Sequence, residues 1–488
     1  MFSYFLTEHI VGLTPLFFRI FNILLHACNA ALLLRLLRKR MPEKAAFVAA
    51  MFFVILPNQG EVAGIITGRS ESLMLLFLLL CWLELDHQER FSTFSGVFFA
   101  CALLSKESAV MFPFLWAMSE FVFKRGEFFD RKCLRSFLPM LTMVAGSIGL
   151  RWIVLRRVFH GGDDYFAGVR YAIRLLTVAK FFFTQSLVSL AAGLRFRIDY
   201  SRPMIPNSSL QDWRSWLALT VGLFLIGIAV YALVRKRSPS AFWILWAFAF
   251  WLPTSNLLVK LDTLGAGRFL YVPSIGYCVI LAHALLTKPS PPKKVFLVTL
   301  MTWYMVVSHA RSRVWATQLG IAQWMVKTNP FSNRGWESLG CYYLSQQNWS
   351  DARPAFEKAV ELDSRRPENY YNLGILEYQQ RNFPVAKKYF LTACSLNPRD
   401  PDTWEHLGAI AQIEGEKSTA IRNYLQVLAL RPYHATSHYN LGRLFMETGH
   451  LDLAVFHYRE FLALTPGDAD AGPVRALLER IHRDHSNL

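Results

Sequence analysis

Apolar residues in this chain follow two different patterns, and the change falls near residue 330. Before it, apolar runs approach the ~20 residues a helix needs to cross a bilayer. Ten segments come near that length: 13–34, 45–64, 70–86, 91–105, 107–123, 136–155, 214–234, 241–258, 269–286 and 295–310. Pro57 interrupts the second. A further apolar stretch, 172–194, holds Arg174 and Lys180 within it, so it reads as a span or as a segment lying in the interface.

After residue 330 the pattern repeats every 34 residues. Gly340, Gly374, Gly408 and Gly442 keep that spacing, each preceded by a leucine (Leu339, Leu373, Leu407, Leu441). Ala352, Ala386, Ala420 and Ala454 keep it too, as do the aromatics Phe356, Phe390, Tyr424 and Tyr458 and the prolines Pro398, Pro432 and Pro466. This is the helix-turn-helix tetratricopeptide pattern. The small residues let paired helices approach, the aromatics fill the space between them, and proline stops the second helix.

The predicted fold is therefore all-α: a polytopic transmembrane helical bundle followed by a tetratricopeptide-repeat α-solenoid. The expected divisions are a membrane domain over 1–310, a connecting half-repeat over 311–332, four repeats over 333–468, and a capping helix and tail over 469–488. Stacked repeats present a concave surface, on which Glu337, Tyr371, Tyr378, Glu405, Gln412, Tyr439 and Arg443 are expected to face a bound polypeptide. An ordinary solvated face would use the same residues.

Charge sharpens this division. Only 18% of residues are charged, against about 25% in soluble chains. From Pro330 onward there are 17 basic and 19 acidic residues, so the whole net charge of +17 belongs to the membrane half. That excludes nucleic acid as a partner and points to anionic headgroups or phosphates. Basic clusters at Arg35–Lys44, Lys124–Arg135, Arg235–Arg237 and Lys288–Lys294 fall on one side if 172–194 does not cross. Cytoplasmic loops collect such residues, so 172–194 is expected to lie flat or re-enter. The loop 156–213 and the repeats are then expected on the non-cytoplasmic side. Residues 1–10 lack a basic signal-peptide region, which predicts a retained first span. Compact loops favour a bacterial inner membrane over the endoplasmic reticulum. The seven cysteines are scattered without a CxxC pair, and read as small core residues.

Polar groups at membrane depth are costly and usually serve a site or a packing pair. Asn22 and His26 share one helical face and would make packing hydrogen bonds between helices. Pro57, Glu61, Gly68, Arg69 and Glu71 form a second cluster, Lys106 and Glu107 a third, and Asn256, Arg268 and Tyr271 a fourth. Brought together, their cations would suit a lipid phosphate; ion pairing, such as Arg69 with Glu107, would explain the same residues. The Asp163–Asp164 pair after two glycines reads as a turn before it reads as a metal site.

NxLLH, GRSESL, LLSKE, FRIDYS, PTSNLL and RFLYVPSIG, followed by the repeat array, resemble in their order the transmembrane and tetratricopeptide-repeat O-mannosyltransferase family. The resemblance implies a GT-C glycosyltransferase fold. It implies transfer of a mannose-like sugar from a polyprenyl-phosphate donor to a Ser or Thr hydroxyl, with a divalent metal as a possible cofactor and an acidic base from the first external loop. Carried over by motif, Arg69, Lys106 and Arg268 are donor-phosphate candidates, with Glu61, Glu71 and Glu107 as orienting acids. No catalytic base is assigned, and no metal ligand. Family members carry a span and an acidic loop ahead of the NxLLH helix, and Met1 stands after both. Where they read HPxHxE, this chain has Leu56-Pro57-Asn58-Gln59-Gly60-Glu61, and Gly267 replaces an acid before Arg268. The expected function is sugar transfer to a polypeptide recruited by the repeats, given an acidic loop upstream of Met1. The alternative is a non-catalytic, membrane-anchored scaffold.

Overall fold

The computed structural model describes residues 15–64, 68–124, 131–155, 166, 168–193, 207–259, 261 and 263–486. All regular structure among them is helical. The chain divides into two compact units, Met1–Ser332 and Asn333–Leu488. The motif at 196–201 and the pair Asp163–Asp164 lie outside the described residues.

The first unit opens with α1 (Pro15–Arg38), α2 (Glu43–Ile55), the short α3 (Gln59–Gly64) and α4 (Arg69–Gln88). Pro57 splits the predicted segment 45–64 into α2 and α3, because proline disfavours helical geometry in the residue before it. A capping box between Ser92 and Ser95 starts α5 (Thr93–Ser105). A 3₁₀ turn (Glu107–Met111) then leads into α6 (Phe112–Phe123). The long α7 (Arg131–Leu155), α8 (Tyr171–Ala192, with a π-helical turn at Phe182–Ser186) and α9 (Trp213–Lys236) follow. Asp212 caps α9, and Ser238 caps α10 (Pro239–Trp251). Pro273 separates a 3₁₀ turn at Gly267–Leu270 from α11 (Ser274–Leu286), and α12 (Pro291–Val314) and α13 (Gln318–Thr328) complete the unit.

Leu16–Arg38, Cys133–Val154, Tyr171–Ala192 and Trp213–Lys236 are each long and apolar enough to cross a bilayer. The stretch expected from loop charge not to cross is thus one of the four by length and composition. The other predicted spans are shorter, interrupted or charged helices. The core is aromatic: Trp82 stacks on Trp246 at 5.4 Å, with Phe242, Trp243 and Phe250 packed around them. At Gly276 a Cβ would come within 2.2 Å of the Trp243 carbonyl oxygen, so only glycine lets α11 lie this close to α10.

The second unit is four helix pairs and a cap: α14 (Asn333–Ser345) with α15 (Trp349–Leu362), α16 (Pro367–Gln379) with α17 (Phe383–Leu396), α18 (Pro401–Ile413) with α19 (Lys417–Leu430), α20 (Ala435–Glu447) with α21 (Leu451–Leu464), and α22 (Ala471–Ser486). In every pair the periodic glycine faces the periodic ring. A Cβ at Gly340, Gly374, Gly408 or Gly442 would fall 2.5–2.9 Å from Phe356, Phe390, Tyr424 or Tyr458. Gly374→Ala should therefore cost about 1–3 kcal/mol through overpacking, measurable as a lower melting temperature of the full chain. The turn between paired helices has its own period: Gln347, Arg381, Gly415 and Gly449 all take positive φ, from 55° to 79°. Val474, Leu477 and Leu478 of α22 pack with Tyr458 and Phe461. The connecting segment 311–332 clusters with the first unit. Trp315 explains this: it is buried, and its side chain lies 3.1 Å from where a Cβ on Gly64 would stand.

The last repeat holds a buried imidazole pair, His438 Nδ1 and His457 Nδ1, 3.0 Å apart. His438 Nε2 lies 3.1 Å from the Pro432 carbonyl oxygen, which can only accept. Neutral His438 therefore accepts at Nδ1, and His457 donates. Burial, then the neighbouring His438, pushes His457 from the ordinary 6.5 to about 4. The unfolded chain takes up this proton first, so the contribution is complete above pH 6.5 and is lost as pH falls toward 4. The melting temperature of the full chain should drop across that window, and drop less in His457→Gln. Glu337, raised by burial, acts in the opposite direction, and comparison with the variant isolates the histidine.

Candidate functional site

Two carboxylates anchor two cations in the first unit. Glu61, on α3, is fully buried. Its oxygens accept from the Arg268 guanidinium at 3.0 Å and from the Arg268 backbone N–H at 3.2 Å. Glu71, on the first turn of α4, forms an ion pair with Lys106, which leads into the 3₁₀ turn after α5. Lys106 Nζ lies 5.4 Å and Arg268 Cζ 5.2 Å from the centre of the same ring, Phe269. Four residues from three separate sequence motifs thus converge around a fifth that sequence reasoning left in an apolar run.

Two amides, Asn58 and Gln59, help to fix the position of α3. Gln59 Nε2 donates to Ser274 Oγ at 2.9 Å, and Asn58 Oδ1 accepts from Ser189 Oγ at 2.9 Å. Each amide thus gives one of its two polar groups to packing, the Asn58 Nδ2 and Gln59 Oε1 atoms being buried without a hydrogen-bond partner among the described residues. Beneath them His26 Nδ1 meets the Tyr271 hydroxyl at 2.9 Å, and Asn29 Nδ2 donates to that hydroxyl and to the Ser72 carbonyl. Asn22 and His26 thus both make hydrogen bonds to other segments, as expected: His26 to Tyr271, and Asn22, which accepts from Arg69 Nε at 3.0 Å.

Arg69 takes a different place from the other two cations. It is fully buried, and its guanidinium lies between the rings of Phe18 and Phe21 at 5.1 and 4.7 Å. It faces α1 rather than the pocket that Lys106 lines. The pairing of Arg69 with Glu107 is also not observed; Glu107 pairs with Arg151 of α7. Asn256 is a structural residue. It sits at φ 65°, and its side chain bonds the Thr263 carbonyl and the Leu261 N–H, closing the loop after α10.

Lys106, Glu107, Thr254 and Phe269 line a pocket of about 230 Å³. An apolar cavity of about 540 Å³, walled by α6, α8, α9 and α10, shares Met111 with it. Phe182 and Phe183, in the π-helical turn of α8, line that cavity. A cation-bearing pocket beside an apolar one can hold a molecule with an anionic head and a hydrocarbon tail. A divalent ion does not fit this donor set. Among the described residues no three His, Cys, Asp or Glu side chains come together, and each of the three acids is already engaged by a cation.

In the repeat unit, Glu337, Tyr371, Tyr378, Glu405, Gln412 and Tyr439 are half-buried and Arg443 exposed, all on the first helices of their pairs. Glu337, Tyr371, Glu405 and Tyr439 occupy one repeat position, 34 residues apart. Glu405 lies 3.8 Å from His434, and Gln412 accepts from Tyr424 at 3.3 Å. Sequence reasoning missed His406. Its ring stacks on Phe390 and touches both Tyr371 and Tyr378, and burial lowers its pKa.

Comparison with known proteins adds an independent line. Residues 4–154 match the dolichyl-phosphate-mannose-protein mannosyltransferase family, and residues 338–411 and 414–469 match the tetratricopeptide repeat. The human protein O-mannosyl-transferase TMTC4 is 24% identical over 351 residues, covering 59% of this chain and 47% of the relative. Human TMTC3 is 22% identical over 405 residues, covering 74% and 43%. The Caenorhabditis elegans protein O-mannosyl-transferase F38B6.6 is 23% identical over 375 residues, covering 74% and 53%. The chain spans about half the length of the curated relatives it matches. Among solved structures, MamA is 23% identical and covers 32% of this chain and 93% of its own, with a TM-score of 0.30.

Proposed function

Because the chain is a relative of the transmembrane and tetratricopeptide-repeat protein O-mannosyl-transferases, we propose that it transfers a mannose-like sugar from a polyprenyl-phosphate donor to Ser or Thr hydroxyls. The observation that carries this reading is an anchored cation, Lys106, in a pocket that shares Met111 with an apolar cavity, with a second anchored cation, Arg268, against the Phe269 ring that lines the same pocket. The isoprenoid would lie between α6, α8, α9 and α10, and its phosphate would meet Lys106 and Arg268. In the transfer, the acceptor oxygen forms a bond to the sugar's anomeric carbon as the bond from that carbon to the phosphate oxygen breaks. The phosphate keeps the bonding electron pair, and fixed cations stabilise the charge that develops there. The acceptor proton passes to a base that the described residues do not assign. The repeats would present the acceptor through the face bearing Tyr371, Tyr378, Glu405 and Tyr439. Loop charge supports a non-cytoplasmic location for this chemistry.

The test is transfer of labelled mannose from polyprenyl-phosphate mannose to a Ser/Thr-rich peptide, by the full chain reconstituted in liposomes. Labelled peptide is the expected product, and cysteine labelling from either side of the membrane should place the repeats outside. One observation favours a second reading, a membrane-anchored scaffold without catalysis: Leu56 and Gln59 stand where the resembled family has histidines, and Gln59 donates to Ser274. Peptide binding without any transfer would establish that reading.

A further inference from the structure

We propose that Phe269 is a positioning residue, its ring holding Lys106 and Arg268 at the spacing that receives one phosphate; this rests on the phosphate-binding reading of the pocket. Two like charges near one point repel, and each here has a buried acid to draw it away, Glu71 for Lys106 and Glu61 for Arg268. The aromatic face supplies an attraction in the opposite direction. A cation within about 6 Å of a ring centroid is held by the ring quadrupole, and both cations meet that condition on Phe269.

The ring is itself fixed. Glu61 binds the backbone N–H of Arg268 as well as its guanidinium, so the peptide leading into Phe269 is tied to α3. Lys106 arrives from the opposite direction, from the end of α5, and is tied to α4 through Glu71. Among the described residues, the only aromatic ring that both cations share is Phe269, and that ring also lines the pocket of about 230 Å³. The two acids neutralise the cations while the pocket waits. An entering phosphate then finds N–H groups still free for it: Lys106 has donors beyond the one used on Glu71, and the Arg268 side chain is about one-third exposed, at 32%.

The experiment titrates the full chain in lipid nanodiscs with polyprenyl monophosphate. Phenylalanine analogues of increasing fluorination at position 269 keep the ring's shape while draining its negative face. Affinity should fall stepwise along that series, Phe269→Leu should lose about tenfold, and Phe269→Trp should retain native affinity. A flat fluorination series alongside a weakened Phe269→Leu would overturn the proposal, because packing alone would then account for the ring. The underlying phosphate reading is judged separately by Lys106→Gln combined with Glu71→Gln. If that pair leaves affinity unchanged the pocket is not the phosphate site, whereas if it lowers affinity while the fluorinated series stays flat, only the role of Phe269 falls.

Discussion

Lys106→Gln combined with Glu71→Gln should leave the membrane unit folded and lower sugar transfer about 100- to 1000-fold. The double change matters because the single one confounds two effects. Glu71 is only 3% exposed. Removing its cation alone strands a carboxylate where water cannot reach it, at a cost of about 3–5 kcal/mol. That could abolish activity by unfolding the site. Two glutamines keep the volume and one hydrogen bond, and carry no charge to strand. What remains is the loss of a cation from the departing phosphate, and removing one donor to a developing charge costs about 2.7–4 kcal/mol of transition-state stabilisation. The measurements are the initial rate in liposomes and the melting temperature of the same preparation. An unchanged melting temperature with an unchanged rate would remove Lys106 from the chemistry.

The site was partly legible because its charged residues are expensive at membrane depth and therefore stand out. Glu61, Glu71, Lys106 and Arg268 are each visible as charges inside apolar runs, and the structure brings all four together. What the linear order hid was direction. Arg69 and Glu71 are neighbours in one motif, yet two helical residues are turned by about 200° at 3.6 residues per turn. Glu71 therefore reaches Lys106, while Arg69 points at Phe18, Phe21 and Asn22. Phe269 was invisible for the opposite reason, since a phenylalanine in an apolar stretch reads as core until two cations are seen against its face. Asn256 looked chemical because it is polar beside Pro253 and Thr254, and its left-handed backbone explains it better. In the repeats nearly everything was legible, because a 34-residue period converts directly into contacts. The glycine at each period meets the aromatic sixteen residues on, since both belong to one helix pair. His406 escaped this logic because no other repeat has histidine at that position.

Asp86→Ala should destabilise the membrane unit by about 3–5 kcal/mol, and the reason lies in a residue that sequence reasoning used for another purpose. Arg40 belongs to the basic cluster after α1, where it served as a marker of orientation. In the structure it is a packed residue, its side chain 5% exposed and 2.7 Å from Asp86, itself 4% exposed. Its guanidinium lies 4.7 Å from the centre of the Trp82 ring and 5.7 Å from that of Phe123. The pair therefore ties the turn between α1 and α2 to the ends of α4 and α6, next to the aromatic core. Truncating Asp86 leaves the arginine enclosed without its carboxylate, and Lys124, 3.8 Å from Asp86, then adds repulsion instead of compensation. Arg40→Met with Asp86→Leu removes both charges and keeps the volume, and such replacements are often neutral or stabilising. Thermal unfolding in detergent, followed by labelling of the buried Cys81, should show the single variant melting well below the native chain and the double variant close to it. Equal losses in both would mean that the packing of the two side chains, rather than their charge pairing, holds this end of the bundle together.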